Sequence, residues 1–358
     1  MAPASGTGPQ CRVPGSPGIV GWQSLRTGYP TPTGHDAGSD IFRAMPLIVR
    51  LLGTSASRPT VERNVASTVV EREGETLMFD CGEGTQRQMM RYGVSFSLGD
   101  IFFTHMHSDH VLGVIGLTRT LQLQGRSEPL RLWGPKGSAR VLRQWAGLGG
   151  ERLGFAVDVV EVEPGVAVAR REYSIVPFPV DHRGAAAVGY ALVEDERRGR
   201  FNPELARQLG VPEGPLWGEL HRGRAVTLPD GRVVEASSLV GPTRPGRRIA
   251  ITGDTRPCAG TIAAARGADL LIHEATFADE EAERAAETGH STAREAAEVA
   301  AAAGVRRLAL THVSARYSYD TGDLEREAKR VFPNVVVARD GTQIDVPYAS
   351  ESSVQIGG

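Results

Sequence analysis

The chain has 358 residues, 40 basic and 42 acidic, for a formal net charge of −2. That length buries a large core in one large domain or two ordinary ones, and the even charge excludes a globally basic binder, so any nucleic-acid site must be a local patch. Three scattered cysteines, Cys11, Cys81 and Cys258, form no CxxC pair, which excludes a disulfide framework and a thiolate metal site and fits a reducing cytoplasm.

Residues 1–44 repeat Gly, Pro, Ser and Thr, with an apolar patch only at 19–22, too short for the core of a signal peptide. Such a segment buries too little surface to offset its ordering entropy. It is expected to be a disordered N-terminal extension, with Met45 an alternative translation start. Residues 45–346 read as one folded domain and 347–358 as a flexible tail. No apolar run approaches the roughly 18 residues of a membrane span, so no membrane partner is expected.

From residue 45 onward, strands and helices intersperse. Residues 47–52 read as a strand, 66–71 with 76–79 as a β pair, and 84–91 as a short helix. Residues 101–104 are a buried strand that runs onto His105. Apolar residues at helical spacing predict helices over 111–123 and 139–145, and β-branched runs predict strands over 157–162 and 173–180. Residues 197–224 are polar and rich in Gly and Pro, which reads as a protruding arm rather than core. Strands resume at 248–252, 270–272 and 307–311. Thr292 and Glu295 have capping-box spacing at the start of an alanine-rich helix. Apolar strands thus end at His105, His182, Asp254, His273 and His312, which suggests that one rim of a sheet system collects polar groups into a site.

His105-x-His107-x-Asp109-His110 packs three imidazoles and a carboxylate into six residues. In an extended segment alternate residues point the same way, so His105 and His107 grip one ion while Asp109 and His110 face a second. The ordinary alternative is a surface histidine cluster with Asp109 as a helix cap, and four ligand-type residues after a buried strand argue against it. His182, Asp254 and His312 would each pass singly as strand-end polar residues. Together they complete a two-metal set: His105, His107 and His182 for one ion, Asp109, His110 and His312 for the other, and Asp254 between them. Nitrogen and oxygen donors suit Zn²⁺, with Mn²⁺ or Fe²⁺ possible. Two such ions hold a bridging hydroxide suited to attack on a phosphodiester. Asp109 is placed as proton acceptor, and His273, held by Glu274, as proton donor.

These segments resemble the metallo-β-lactamase superfamily and, within it, the ribonuclease Z family. The likeness is carried by His105 to His110, His182, Gly253-Asp254-Thr255-Arg256, His273-Glu274-Ala275-Thr276 and Thr311-His312-Val313-Ser314-Ala315-Arg316-Tyr317. The narrower likeness rests on Phe79-Asp80-Cys81-Gly82-Glu83-Gly84-Thr85-Gln86, the His273-Glu274-Ala275-Thr276 motif, His290-Ser291-Thr292, and the Gly214-Pro215 arm followed by residues 226–232. The resemblance implies an α+β fold, a four-layer αββα sandwich, with the arm (residues 195–232) inserted as an exosite. It implies two zinc ions per subunit, a homodimer, and endonucleolytic removal of the 3′ trailer from precursor tRNA. Substrate contacts are expected from Arg63, Asn64, His290, Ser291, Thr292, Arg316, Gly214 and Pro215. Between 197 and 224 six arginines stand against three glutamates, a charge that suits phosphates. Val61 stands where the family carries a lysine, and the stretch from His182 to Gly189 is one residue longer than the family pattern. The alternative within the fold is a general metal-dependent phosphodiesterase or a thioesterase-like hydrolase. A non-catalytic relic would have no use for a bridging carboxylate.

Overall fold

Alternating apolar residues resolve into two seven-stranded sheets in the computed structural model, which describes residues 46–148 and 152–349. The expected N-terminal extension over 1–44 lies outside the described residues, as does the tail from residue 350 onward. The first sheet holds β1 (Leu47–Gly53), β2 (Ser67–Arg72), β3 (Glu75–Phe79), β4 (Leu98–Phe102), β5 (Leu130–Pro135) and β6 (Val157–Val162). The second begins with β7 (Val168–Ala169), β8 (Tyr173–Pro179) and β9 (Val188–Glu194). A separate hairpin, β10 (Val226–Thr227) with β11 (Val233–Val234), precedes β12 (Arg248–Ile251), β13 (Leu270–Glu274), β14 (Leu308–Thr311) and β15 (Val335–Val337) of the second sheet. β16 (Gln343–Asp345) returns to the first sheet, antiparallel to β1.

The orders are β16-β1-β2-β3-β4-β5-β6 and β15-β14-β13-β12-β9-β8-β7. In each sheet a run of antiparallel neighbours gives way to parallel ones, β3 to β6 in the first and β12 to β15 in the second. Parallel neighbours require crossovers, and helices supply most of them. Strand alternation then assigns the layers. Val49, Leu51, Phe79 and Phe102 from the first sheet meet Tyr190, Ile249, Leu270 and Ile272 from the second in the central core. The opposite face of the first sheet packs Val69, Met78 and Ile101 against Met89, Val114, Leu117 and Leu142 of its helices. The opposite face of the second packs Leu271, Ala275 and Leu310 against Ala296, Ala300 and Leu324. Helix, sheet, sheet, helix is the expected four-layer sandwich.

The expected capping box is present at helix Ala293–Ala303: Thr292 accepts from the Glu295 N–H, and the Glu295 carboxylate accepts from the Thr292 N–H. Three expectations need correction. The helix over 111–123 is two helices, Ser108–Val111 and Gly113–Leu123. Their junction presses on the strand-end loop after β3, where a Cβ on Gly113 would lie 2.0 Å from the Gly82 carbonyl oxygen, so only glycine fits. The inserted segment is not coreless. It forms helices Pro203–Gln208 and Pro215–His221 around its own cluster of Ala206, Val211, Leu220, Val226, Leu228 and Leu239. Its neck pairs Arg197 with Arg244 and Phe201 with Val240, so the unit runs past the expected limit at 232. The start of the expected flexible tail is packed: Tyr348 is buried beneath the guanidinium of Arg247, 4.0 Å from the ring centroid.

Arg247 also belongs to a buried ionic group. Glu194 accepts from Arg247 at 2.8 Å and from Arg72 at 2.9 Å, joining the two sheets at the neck of the insert. Removing the carboxylate takes from both buried guanidinium groups the acceptor they share, leaving Arg72 its pairing with Glu73 and Arg247 its bond to the Val346 carbonyl. Glu194→Ala should therefore lose about 3–5 kcal/mol of unfolding free energy in urea titration; a loss near that of a surface substitution would show the group to be solvated.

Candidate metal centre

The site forms where β4, β8, β12 and β14 give out at one rim. The chain leaves β4 through Thr104 and carries His105 and His107 into the turn before helix Ser108–Val111, which presents Asp109 and His110. His182 follows β8, Asp254 follows β12 and His312 follows β14. Nitrogen and oxygen atoms of His105, His107, His182 and Asp254 all lie within 4.8 Å of one another, and those of Asp109, His110 and His312 form a second such group. Asp254 joins the two. Its Oδ1 is 3.3 Å from His110 Nε2 and 3.2 Å from His312 Nε2, and its Oδ2 is 3.6 Å from His105 Nε2 and 3.9 Å from His182 Nε2.

Outer partners fix how the imidazoles face. The Nδ1 atoms of His110 and His182 meet acceptors, the Asp80 carboxylate at 2.8 Å and the Gly289 carbonyl at 2.9 Å. The Thr104 hydroxyl donates to Asp80 and so accepts from His105 Nδ1; the Thr276 hydroxyl donates to Glu274 and so accepts from His312 Nδ1. All four Nδ1 atoms therefore carry a proton, and the four Nε2 atoms face into the cluster. Within this centre His105 Nε2 and Asp254 Oδ1 are buried with no hydrogen-bond partner among the described residues. Unpaired buried polar atoms are costly, and a cation supplies both with a partner. The residues present therefore fit divalent ions.

The electrostatics divide: burial pushes the His110 imidazole down, but the Asp254 and Asp80 carboxylates raise it well above its ordinary value, while Asp109 and Asp254 are held low. Burial pushes the Asp109 carboxyl up, yet its hydrogen bond to His312 and the His110 charge hold it well below the usual carboxylate range. Asp254 is likewise held low against complete burial by His312, His110 and His105. Burial and the neighbouring His110 drive His105 well below the ordinary imidazole value, so it stays neutral, as a ligand must.

The structure redistributes the remaining candidates. β13 alternates so that Leu271, His273 and Ala275 face the helix layer while Leu270, Ile272 and Glu274 face inward. His273 is accordingly fully buried away from the centre, with Nδ1 against the Glu274 carbonyl, and the expected proton-donor role does not suit it. His290 faces the centre instead. Its ring stacks on His312 with centroids 5.3 Å apart and lies 5.2 Å from that of His182. Glu274 accepts from His290 Nδ1 at 2.8 Å, leaving Nε2 as the free edge. Burial opposes protonation of His290, but the charge and hydrogen bond of Glu274, with Asp254 beyond, push its pKa up to about 9. Glu274 also accepts from the Thr255 and Ser291 N–H groups and the Thr276 hydroxyl, so it orients its neighbours.

Other expected substrate contacts are turned inward. Arg63 is 2 % exposed and donates to Thr54 Oγ1, the Ala338 carbonyl and the Ser318 carbonyl. Ser291 donates to the Thr255 carbonyl, and Thr292 caps its helix. These three hold loops in place and do not face a substrate. Asn64 donates to the Glu83 carbonyl and its N–H to Asp340. Arg316 pairs with Glu281 at the surface. Val61 is 89 % exposed at the tip of its loop. Gly214 takes φ 127 at the start of the helix led by Pro215, a conformation that favours glycine, and both lie in the insert. Three residues without an expected role belong to the centre: Asp80, Thr276 and Ser57, whose N–H donates to Asp109 Oδ2 at 2.7 Å. Asp80 and Thr276 stand in the quoted motif segments; a backbone donor such as Ser57 has no signature in side-chain pattern.

Two facing sheets between helix layers, with a histidine–aspartate cluster at one rim, define a metallo-hydrolase of the β-lactamase class. A profile of the β-lactamase superfamily domain matches residues 75–240 and 230–313. Ribonuclease Z of Gemmatimonas aurantiaca is 68% identical over 308 residues, which cover 86% of this chain and 98% of that protein. Ribonuclease Z of Myxococcus xanthus is 52% identical, covering 84% of this chain and 98% of the relative. The crystal structure of human tRNase Z, short form, superposes with a TM-score of 0.61 at 27% identity, over 84% of this chain and 99% of that one. The chain belongs to the ribonuclease Z family of this superfamily, and the donor set accords with its use of divalent metal.

The outer carboxylate gives a direct check. Asp80→Asn keeps the shape but weakens the acceptor for His110 Nδ1, and should lower divalent-metal affinity by about 10–100-fold in chelator competition; unchanged affinity would mean that Asp80 serves the fold alone.

Proposed function

We propose that the chain removes the 3′ trailer from precursor tRNA by endonucleolytic hydrolysis, leaving a 3′-hydroxyl on the tRNA, and does so with two zinc ions. One conjunction carries the reading: a seven-residue donor cluster, buried except at His107 and with four Nε2 atoms turned inward, in a chain that matches proteins named ribonuclease Z over nearly their whole length. His105, His107 and His182 would hold one ion and Asp109, His110 and His312 the other, with Asp254 shared. The absence of thiolate among the donors suits Zn²⁺, and Mn²⁺ or Fe²⁺ would be accepted. Bound ions supply an acidified water and positive charge opposite the phosphate.

The protein's own groups complete the reaction. Asp109, anchored by Ser57, takes a proton from the attacking water. Water oxygen bonds to phosphorus, the P–O3′ bond breaks, and the phosphate stays on the trailer. His290, held by Glu274, gives a proton to the departing O3′. The insert between Arg197 and Arg244 is the surface we assign to the tRNA body. Several of its arginines pair internally, Arg207 with Glu213 and both Arg222 and Arg224 with Glu219, yet arginines still outnumber glutamates by three over residues 197–224. The hydrolase domain over 45–346 would work as a homodimer in the cytoplasm. Free cysteines at Cys81 and Cys258 accord with a reducing compartment, and no helix of the described residues is long and apolar enough to cross a membrane.

End-labelled precursor tRNA tests the reading. The parent protein should release the trailer with a 3′-hydroxyl on the tRNA, and a chelator should abolish release. His290→Ala should lower kcat by about 10²–10⁴-fold, whereas His273→Ala should turn over near the parent rate wherever it is folded. Exonucleolytic ladders in place of one trailer, or the reverse order of the two variants, would contradict it.

A further inference from the structure

Glu274 holds the His290 ring and the N–H of the following Ser291, and the Ala285 carbonyl accepts from the His290 N–H; the His290 carbonyl is held by a different residue. The Arg256 guanidinium donates from Nη1 to the His290 carbonyl at 2.7 Å. The same group meets Glu295 on both oxygens, Nη1 to Oε2 at 2.8 Å and Nη2 to Oε1 at 2.6 Å. Glu295 is already committed, because its Oε2 accepts from the Thr292 N–H in the capping box. The planar fork of Arg256 therefore clamps the loop that carries His290 to the first turn of helix Ala293–Ala303. The backbone of Arg256 is fixed as well. Its N–H donates to the Asp181 carbonyl at 2.7 Å, one residue before His182, and Asp254 lies two residues upstream. One residue thus ties together the segments that bear His182, Asp254 and His290.

We infer that Arg256, with Glu295, is a positioning residue that sets the distance between His290 Nε2 and the leaving O3′. The inference rests on the reading of His290 as proton donor. Arg256 touches neither the donor cluster nor a place where substrate would react, and its ion pair is part-exposed, with side chains 23% and 16% accessible. Its value to the fold as a surface pair is small. Its value to the reaction is large if a loop shift of about 1 Å costs on the order of 10²-fold in rate.

Leaving-group dependence separates positioning from general damage. The O3′ of precursor tRNA is a strong base and needs a proton as it departs, whereas the p-nitrophenolate of bis(p-nitrophenyl) phosphate leaves as the anion. Arg256→Gln should lower kcat on precursor tRNA by about 10²-fold with little change in KM, and this loss should exceed the loss on bis(p-nitrophenyl) phosphate by about tenfold or more. Arg256→Lys should recover part of the rate. Glu295→Gln keeps a capping-box side chain and should show the same selective loss more mildly, which covers the case in which Arg256→Gln fails to fold. Equal losses on both substrates, or no loss on either, would overturn the positioning role. His290→Ala run alongside keeps the two ideas apart. If His290→Ala spares bis(p-nitrophenyl) phosphate while Arg256→Gln does not, only the role of Arg256 fails. If His290→Ala impairs both substrates equally, the proton-donor reading fails and this inference with it.

Discussion

A carboxylate buried among imidazoles is the constraint on which the rest of the site depends. Asp254 is 3% exposed, and its two oxygens face different histidine groups, His110 and His312 on one side, His105 and His182 on the other. An anion so placed cannot be left alone, because desolvation costs several kcal/mol unless positive charge returns it. The chain reaches that position by a turn at Gly253 (φ 64), where a Cβ would come within 2.6 Å of Thr104. Close approach of β12 to the end of β4 is therefore what brings the second sheet's carboxylate to the first sheet's histidines.

Around that carboxylate the protein leaves little freedom. Every outward Nδ1 of His105, His110, His182 and His312 has a partner, and those partners bond in turn to others. Of the six described non-glycine residues with positive φ, Ser57, Asp80 and His312 lie in the centre and Arg183 adjoins His182. Such conformations cost on the order of 1–3 kcal/mol each and persist where the surroundings over-determine them. The sandwich supplies that rigidity from its three cores, and the loops at the rim spend it on donor geometry.

Much of this was legible in the sequence, for identifiable reasons. Strands with uninterrupted apolar character, such as β1 and β4, and ligand-type residues directly after strands reveal themselves by period and position. Grouping the seven donors into two trios and a shared aspartate follows from what a two-metal site needs, and the fold brings those trios and the aspartate within reach of one another. His273 misled because it is adjacent to Glu274, and adjacency in a strand means opposite faces. The partner of Glu274 is His290, 16 residues away, which only the fold could bring. Arg63 misled for a related reason, since a guanidinium in a loop reads as exposed until its carbonyl acceptors at Ser318 and Ala338 are known. The insert looked coreless because its few apolar residues are scattered over Ala206 to Leu239 and meet only when folded.

The central claim is that one buried aspartate organises two ions. Elemental analysis of the purified parent and of Asp254→Ala, each folded by circular dichroism, tests it most directly. The account predicts about two divalent ions per chain in the parent and loss of at least one of them, with weakened hold on the other, in the variant. A parent that carries a single ion, or a variant whose metal content matches the parent's, would contradict it.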